Sequence, residues 1–546
     1  MRLSNIALFV LSLLAFSSCK KSPEADVVYL NGVVYTVDDS FSVAEAFAVK
    51  DGKIMAIGSS AEMKEFSAKE VVDLQGKFVY PGFYDAHCHF YGYGVDLAKT
   101  WLIGTTSFES ILDTLTKYKD RRFMGWVFGR GWDQNDWTVK SFPDRSKLDV
   151  LFPDVPVFLM RIDGHAALVN AKALELAGIT ADTKIAGGEI ILKDGVPTGL
   201  LIDNAVDLVK SKIEEPGVKD LETALVNAQQ NCFKVGLTTV VHAGLDVKTI
   251  LLIDSLQKAG KLKMKMNAMV SYNPANVAYY RKHGSYASDR LRVNSFKLYA
   301  DGALGSRGAC LRDHYADMPG HRGFLLASVD SMIDAAATAY AMNFQLNTHC
   351  IGDSANHLLL KIYSNVLKGK NDKRWRIEHA QVMPPEDFNL FADFSIIPSV
   401  QPTHATSDMY WAGDRLGSER LKYAYAYKQL LEQNGLLANG SDFPVEDINP
   451  LYGFYAAVVR KDQKNFPEGG FNADQALTRE QALRAMTIWA AYASFEEKEK
   501  GSLEKGKWAD FVVLNEDLMK AEESKLYALK IWRTIVSGEV VFDASK

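Results

Sequence analysis

The chain has 546 residues, with 62 Lys or Arg, 67 Asp or Glu and a formal net charge of −5. Hydrophobic residues make up 47% and charged residues 24%, which excludes a largely disordered chain, and five cysteines exclude a disulfide-dense scaffold. The nearly balanced charge argues against nucleic acid as the main partner. At ~100–200 residues per domain, the length predicts several domains or one large barrel with additions.

The amino terminus has the pattern of an export signal. Arg2 precedes an apolar run over residues 6–16, which is too short for a transmembrane helix of ~20 residues. Two serines before Cys19 resemble the lipobox of bacterial lipoproteins. We therefore predict a lipoprotein signal peptide over residues 1–19, lipidation of Cys19 and a polar tether over 20–26. The protein would be exported to the periplasmic side and touch the membrane only through this anchor; the alternative is plain secretion with cleavage nearby.

Both ends of the chain consist of short strand-like runs separated by turns. Residues 27–80 contain the hairpin signals Asn31-Gly32 and Asp51-Gly52 between apolar runs, and residues 491–546 continue in the same style. Because the strands at either end alone are too few for independent stability, we predict one composite β-sandwich built from both ends.

Between these ends, strand-like runs alternate with helix-like stretches, which predicts an α/β fold with a (β/α)₈ barrel of parallel strands. One candidate strand is surplus, because nine of them end near His87, Arg161, His242, Val270, Tyr299, His349, His379, Val400 and Asp442.

Spacing identifies the surplus strand. His89 and Lys297 are 208 positions apart (297 − 89), whereas three βα units of about 30–40 residues need roughly 90–120. We therefore predict an insertion over residues 100–215 after barrel strand 1 (region 81–99). The run PVFLMR (156–161) then lies outside the barrel, GLTTVVHAG (236–244) becomes strand 2, and the rest of the barrel occupies 216–490.

The strongest local signal for chemistry is PGFYDAHCHF at residues 81–90. On a strand, His87 and His89 point to one face, and two imidazoles at a strand end can hold a metal ion. Asp85 shares that face and can support the histidines by hydrogen bonding. A pair of surface or core histidines is the alternative.

Three further candidate ligands stand where an apolar run meets a loop: His349, His379 and Asp442. In an eight-stranded barrel the carboxyl ends of the strands form the functional face, so these side chains are expected to converge with the His pair. Singly, each has a structural alternative, either a core histidine or, for Asp442, the cap of a helix.

Lys297 falls inside a predicted inner strand, where an ammonium group is costly to bury. Its amine either extends to solvent or reacts with CO₂ to form a carbamate, a carboxylate-like group able to bridge two metal ions. Periodicity does not distinguish these possibilities.

The order His-x-His, Lys, His, His, Asp resembles the amidohydrolase superfamily. The segments FKLYADGALGSRGA, NTHCIGD, RIEHAQ, GSDFPVEDINP, GWDQNDW and DGHAALVNAKAL are similar to its amidohydrolase-3 branch, which contains YtcJ-like proteins and N-substituted formamide deformylases. The resemblance covers residues 27–543. It implies a (β/α)₈ barrel with a small β-sandwich and a site for one or two divalent ions, with zinc as the default.

The resemblance also implies roles for the candidate residues. His87 and His89 would bind one ion, and His349 and His379 would bind the second. Carboxylated Lys297 would bridge the two ions. Asp442 would ligate the first ion and act as general acid/base in the hydrolysis of an amide, N-formyl or N-acyl C–N bond by metal-activated hydroxide. The alternatives are an esterase or lactonase on the same site, and an inactive ligand-binding lipoprotein.

Groups that contact a small-molecule substrate are less strongly indicated. His165, in the insertion, can reach over the barrel mouth or be a structural histidine of a lid. Arg307 can bind a substrate carboxylate or pair with Asp301, both on the loop after Lys297. His242 and His404 end or follow barrel strands and are either mouth or structural residues.

The remaining predictions concern aromatic and thiol side chains and assembly. Four tryptophans form either an apolar wall for the substrate or the core of the insertion: Trp101, Trp126, Trp132 and Trp137. Four cysteines are expected to be ordinary buried thiols: Cys88, Cys232, Cys310 and Cys350. The sequence is compatible with a homo-oligomer.

Overall fold

A computed structural model describes residues 23–546. The predicted signal peptide, its Cys19 lipidation site and the first part of the predicted tether lie outside the described residues. The last part of that tether belongs to the strand Glu24–Leu30, which pairs in parallel with Ser67–Asp73. Within residues 23–546, no helix combines the length and the apolar character needed to cross a bilayer.

Eight parallel strands form the barrel, and each one pairs with the next along the chain. They are Phe83–Cys88, Leu237–Leu245, Lys265–Ser271, Leu291–Tyr299, Gln345–Cys350, Arg376–His379, Ile397–Val400 and Ala438–Asn439. A short strand, Tyr286–Ala287, pairs antiparallel with the fourth. This arrangement confirms the predicted (β/α)₈ barrel, and the second strand lies where the spacing placed it.

The barrel closes where its last strand meets its first. The backbone N–H of Asp442 donates to the carbonyl oxygen of His87 at 2.7 Å. Gly440 allows this approach, because a Cβ at that position would lie 2.3 Å from the His87 backbone nitrogen. The closure therefore brings the two ends of the candidate ligand series side by side.

Helices cover the barrel and the attached sheets. The α-helices are Ser60–Met63, Phe90–Asp96, Phe108–Lys117, Ser146–Leu151, Ala171–Ala177, Asn204–Lys210, Val218–Lys234, Val247–Lys258, Pro274–His283, Val329–Ala341, Asp353–Leu367, Asn389–Asp393, Pro402–Asp408, Ala412–Leu421, Tyr427–Asn434, Pro450–Val459, Arg479–Ala485 and Ile488–Ala493. Short 3₁₀ helices are Gln134–Asp136, Pro385–Asp387, Ala473–Gln475 and Glu523–Ala528. The helix Val218–Lys234 shows the common pattern, since its buried residues recur three and four positions apart on one face.

The segment between barrel strands 1 and 2 forms a six-stranded mixed sheet. Its strands, in spatial order, are Gly188–Lys193, Val196–Asp203, Ala166–Val169, Val157–Arg161, Val127–Trp132 and Thr100–Trp101. The run PVFLMR (156–161), predicted to lie outside the barrel, forms the fourth of these strands, Val157–Arg161. This confirms the insertion after barrel strand 1.

Two further sheets form a sandwich from both ends of the chain. One contains Lys53–Gly58, Ala46–Lys50, Glu24–Leu30 and Ser67–Asp73; the other contains Glu539–Asp543, Ile531–Val536, Phe511–Leu514, Phe78–Pro81, Val33–Tyr35 and Val43–Ala44. Phe511 joins the two layers, with its ring centroid 5.1 Å from that of Tyr29 and 5.0 Å from that of Phe47. The predicted composite β-sandwich is therefore present.

Candidate metal centre

The carboxyl ends of the barrel strands bring the candidate metal ligands to one face. His87 and His379 lie at the ends of strands 1 and 6, Lys297 and His349 lie near the ends of strands 4 and 5, and His89 and Asp442 follow strands 1 and 8. His379 and Asp442 adopt left-handed backbone conformations, with φ of +72° and +63°. Non-glycine residues rarely adopt this geometry, and it commonly marks functional turns.

His87, His89 and Asp442 form a compact donor group, in which one ligand atom from each lies within 4.8 Å of the others. The Asp442 Oδ1 atom is 3.2 Å from His89 Nε2 and 3.5 Å from His87 Nε2. His87 and Asp442 are buried, whereas His89 is partly exposed. Two imidazoles and a carboxylate around one point are suitable ligands for a divalent transition metal.

The protonation states of His87 and Asp442 favour metal binding. Burial lowers the pKa of His87 to about 4, with the Lys297 ammonium acting in the same direction. Burial raises the pKa of Asp442, but the close approach of the His89 and His87 imidazoles outweighs burial and holds that pKa well below its usual range. Neutral imidazole and ionised carboxylate are the forms that ligate metals.

Lys297 lies inside the site. Its Nζ is 3.4 Å from His87 Nε2 and 4.8 Å from the ring centroid of Tyr299. Burial lowers the pKa of its amine to about 8. An amine in this position can lose its proton near neutral pH. The neutral amine is the form that reacts with CO₂.

A second donor group shares Asp442 with the first. It consists of His379, His404 and Asp442, again with ligand atoms within 4.8 Å of one another. His349 lies beside it, with its ring centroid 4.5 Å from that of His379, but its Nε2 faces the carbonyl oxygen of Gly302 at 3.4 Å. The sequence predicted His404 to be either a mouth residue or a structural one.

Glu378 is a buried residue of the candidate site that the sequence analysis missed. Its carboxylate accepts a hydrogen bond from His87 Nδ1 and pairs with Arg376, whose Nε lies 2.7 Å from Oε1. Burial raises the pKa of Glu378, but the charge of Arg376 and the hydrogen bond from His87 outweigh it and bring that pKa to about 2. A carboxylate on the outer nitrogen of a ligating histidine fixes its tautomer and raises its basicity. The two charged residues of the strand Arg376–His379 were the available signal.

Asp85 braces the turn that carries Asp442. It accepts hydrogen bonds from the backbone N–H of His87 at 3.0 Å and from the hydroxyl of Ser441 at 2.6 Å. Burial raises the pKa of Asp85 to about 7. It thus connects the two ends of the barrel closure, as expected for a supporting residue.

His165 reaches the site from the insertion. Its Nδ1 lies 2.5 Å from Asp203 Oδ1, and its ring centroid is 5.0 Å from that of His349. Gly302 and Gly308 make room for Asp203, because a Cβ at either position would lie 2.3 Å or less from its carboxylate. The insertion is therefore docked on the barrel loop through this His–Asp pair.

The two other substrate candidates have structural partners. The buried Asp301 carboxylate accepts backbone N–H groups of Cys310, Ile351 and Gly352 at 2.8–3.0 Å. Arg307 pairs with Asp317 at 2.8 Å, not with Asp301.

A cavity of about 1380 Å³ lies above the donor groups, between the barrel and the insertion. Its lining includes six residues of the candidate site: His89, His165, Lys297, His349, His404 and Asp442.

Of the four tryptophans, Trp101 lines the cavity, whereas Trp126, Trp132 and Trp137 are buried in the packing of the insertion. His242 lies beside His89 with both ring nitrogens buried and without a partner in the described residues. The cavity is large enough for a drug-sized ligand.

Residues 70–542 match the model of the amidohydrolase family, and the chain belongs to that family. The putative amidohydrolase YtcJ of Bacillus subtilis (strain 168) is 32% identical over 530 residues, covering 95% of this chain and 99% of the relative. The N-substituted formamide deformylase of Arthrobacter pascens is 28% identical over 544 residues, covering 95% and 98%. These relatives confirm the predicted branch.

A solved structure agrees with the fold. An uncharacterized metal-dependent hydrolase from Pyrococcus horikoshii OT3 superposes with a TM-score of 0.76 at 28% sequence identity. The match covers 91% of this chain and 99% of that chain. The likeness therefore includes the barrel, the insertion and the sandwich.

Proposed function

We propose that the protein is a metal-dependent hydrolase that cleaves the C–N bond of an N-formyl, N-acyl or related amide. The observation that carries the proposal is the pair of donor groups sharing Asp442 at the base of the cavity. The similarity to a formamide deformylase supports the choice of bond. Zinc is the metal that the His-rich donor set suits by default.

His87, His89 and Asp442 would hold the first divalent ion, which when bound supplies an activated water and polarises the substrate carbonyl. The family resemblance implies that His349 and His379 would be ligands of a second ion. Glu378 fixes the orientation of His87 through its Nδ1–H. The buried ligands are held before substrate arrives, so little reorganisation is needed on binding.

Asp442 is the group that moves the proton. Its carboxylate is ionised and lies beside the cavity, so it takes a proton from the attacking water and passes it to the leaving nitrogen. This transfer matters because an amine leaves poorly as an anion. The products are a carboxylic acid and a neutral amine, and the Asp442 side chain returns to its ionised form.

We also propose that Lys297 carries a carbamate. Loss of a proton from the ammonium group gives the neutral amine, which would add to CO₂ and release a second proton. A buried cation is thereby replaced with an anion among metal ligands. The position of Nζ, 3.4 Å from His87 Nε2, supports this assignment. The exchange also removes the cost of burying an ammonium group beside neutral imidazoles.

His165 is proposed to contact the substrate carbonyl. It lines the cavity, and Asp203 holds its Nδ1, which leaves Nε2 as the free nitrogen. Asp301 and Arg307 were the other substrate-binding candidates, Arg307 for a substrate carboxylate. We leave both out of the proposed contacts because their charged groups already have the partners described above.

A substrate panel tests the proposal. Protein loaded with Zn²⁺ is assayed on N-formyl amines, N-acyl amino acids, cyclic amides, esters and lactones. Hydrolysis of the amides is expected, whereas turnover of esters or lactones alone would support the alternative reaction, and no turnover would support a ligand-binding protein.

Asp442→Asn separates proton transfer from metal binding, since the amide oxygen can still ligate but cannot accept the proton. The kcat is expected to fall by ~10²–10⁴-fold. The control is Glu386→Gln, which alters a donor group formed by His357, Glu386 and Asp387 away from the cavity. Near-wild-type turnover by Asp442→Asn would refute the assignment.

A further inference from the structure

One wall of the cavity carries a group of cations that the proposed reaction does not use. Lys99, Arg130 and Lys210 all line the cavity, and the carboxylates of Asp96 and Asp207 accompany them. We call these five residues the basic group. Because three cations face two anions, the basic group has one positive charge in excess.

Arg130 is the buried member of the basic group. Its side chain is 8% exposed, and its two Nη atoms donate to the carbonyl oxygens of Arg161 at 2.8 Å and Ile162 at 3.0 Å. Its Nε atom lies 3.5 Å from Asp96 Oδ2 and makes no hydrogen bond within residues 23–546. Buried donors are normally paired, so this guanidinium has the capacity for a further acceptor.

The two lysines of the basic group also keep free N–H groups. Lys210 Nζ lies 3.6 Å from Asp207 Oδ1, beyond hydrogen-bond distance, whereas Lys99 Nζ donates to Asp96 Oδ1 at 2.7 Å. Desolvation by the cavity wall lowers the pKa of the Lys210 amine, which Asp207 opposes. The charges of Arg130 and Lys99 lower that pKa further. The three cations are therefore close enough to repel one another, and a bound anion would relieve the repulsion.

The remaining acidic residues on the insertion side of the cavity are paired elsewhere or open to solvent. Asp133 and Asp163 pair with Arg161, and Asp203 pairs with His165. Three others are exposed to solvent: Asp136, Glu214 and Glu215. Water and salt screen such charges. The positive excess of the basic group is therefore retained on its own stretch of the wall.

Aromatic side chains accompany the cations. Phe123 and Phe128 line the cavity, and Lys99 Nζ lies 5.4 Å and 5.0 Å from the centroids of their rings. Aromatic rings provide apolar area for a hydrocarbon chain. This part of the cavity therefore suits an anion on an apolar chain better than a compact, fully hydrated ion.

A short stretch of chain connects the basic group to the metal centre. A Cβ at Gly164 would lie 3.6 Å from Arg130 Nη1, so the guanidinium packs against the residue that precedes His165. The His165 ring centroid lies 5.0 Å from that of His349. One substrate can therefore present its carbonyl to the metal centre and its other end to the basic group.

We propose that the basic group is a subsite for a carboxylate, and that the substrate is an amide with an apolar chain ending in that carboxylate. Since the proposed reaction removes a formyl or acyl group, the carboxylate belongs to the amine that is released. Arg130 and Lys210 would donate to it, because hydrogen bonds between charged partners are stronger than neutral ones. The inference rests on the proposed amide hydrolysis and names the substrate class for it.

Matched substrate pairs test the subsite. Each pair consists of an N-formyl ω-amino acid and the N-formyl alkylamine that lacks only the carboxylate, and kcat/KM is measured on Zn²⁺-loaded protein for pairs of increasing length. The variants are Lys210→Ala and Arg130→Gln. The control is Lys172→Ala, which removes a lysine of the insertion that pairs with Glu175 at 2.9 Å and does not line the cavity.

The wild type and Lys172→Ala are expected to prefer the carboxylate member of the best pair by ~10–100-fold in kcat/KM, the effect of a hydrogen bond between charged groups. Lys210→Ala and Arg130→Gln are each expected to reduce this ratio by ~10-fold or more. Thermal melts check that the variants are folded. If Arg130→Gln does not fold, Lys210→Ala, at a half-exposed position, decides the test.

Calorimetric titration separates the subsite from catalysis. The probes are keto acids and methyl ketones of matched length, which cannot be hydrolysed. If the wild type hydrolyses amides without preferring the carboxylate, or if the preference survives in both variants, only this inference is wrong. If no amide is hydrolysed but keto acids bind more tightly than ketones, and Lys210→Ala removes the difference, the proposed function is wrong and the subsite is supported. Neither hydrolysis nor preferential binding would contradict both.

Discussion

Glu378→Gln tests whether a buried carboxylate that is not itself in a donor group controls the metal site. The side chain is fully buried and lies between His87 Nδ1 and the guanidinium of Arg376. Glutamine has nearly the same shape, and its oxygen can still accept from His87. The substitution therefore removes the negative charge while leaving the packing in place.

Two effects of different size are expected. Neutralising one partner of a buried ion pair costs about 3–5 kcal/mol of unfolding free energy. The lower end applies here, because Arg376 keeps hydrogen bonds to the Ala86 carbonyl at 2.5 Å and the Ser399 hydroxyl at 2.7 Å. Weakening the partner of a ligating histidine lowers metal affinity by ~10–100-fold, or about 1.4–2.7 kcal/mol.

The assay is competition for Zn²⁺ with a chromophoric chelator, at fixed pH and ionic strength. The matched control is Glu496→Gln, which alters another buried carboxylate, paired with Lys500 at 3.1 Å and hydrogen-bonded to Tyr84 at 2.6 Å. The control should lose stability but keep its Zn²⁺ affinity. If Glu378→Gln binds Zn²⁺ within twofold of wild type, the reasoning about His87 is wrong.

Two further substitutions probe the cavity wall and the docking of the insertion. Burial raises the pKa of Asp408 to about 7, so its contribution to stability is lost as pH rises from ~4, its unfolded value, to 7. The free energy of unfolding of Asp408→Asn, relative to that of the wild type, should therefore rise by about 1–4 kcal/mol between pH 4 and pH 8, as measured by thermal unfolding. An equal difference between the two proteins at both pH values would contradict this. Gly308→Ala places a Cβ 2.1 Å from the Asp203 carboxylate, so His165 should be displaced and kcat/KM should fall at least tenfold, whereas unchanged kinetics and unchanged proteolysis of the insertion would argue against the docking role.

The strand pattern was readable because it is local. Parallel strands buried on both faces are short continuous apolar runs, and the ligand-bearing residues stand where those runs stop. The second barrel strand, Leu237–Leu245, differs from the predicted 236–244 by one residue at each end. Separation along the chain also revealed the insertion, because an excess of length needs no knowledge of contacts.

Partner choice was not readable, because it depends on contacts between distant segments. Arg307 was expected to bind substrate or Asp301, but it pairs with Asp317 on the same loop. Some residues predicted as part of a tether belong to the strand Glu24–Leu30, which pairs with Ser67–Asp73. The polar composition of the predicted tether gave no sign of this pairing. Glu378 was overlooked because its role exists only once strand 6 lies across the barrel from His87.

The sequence alone determined the class of fold and the set of candidate ligands, because both follow from periodicity and from residue types at strand ends. Only the tertiary structure decided how those ligands are grouped. Barrel closure places Asp442, 353 positions after His89 (442 − 89), within 3.2 Å of it and beside His404. The ligand groups are therefore a product of closure, which local pattern does not encode.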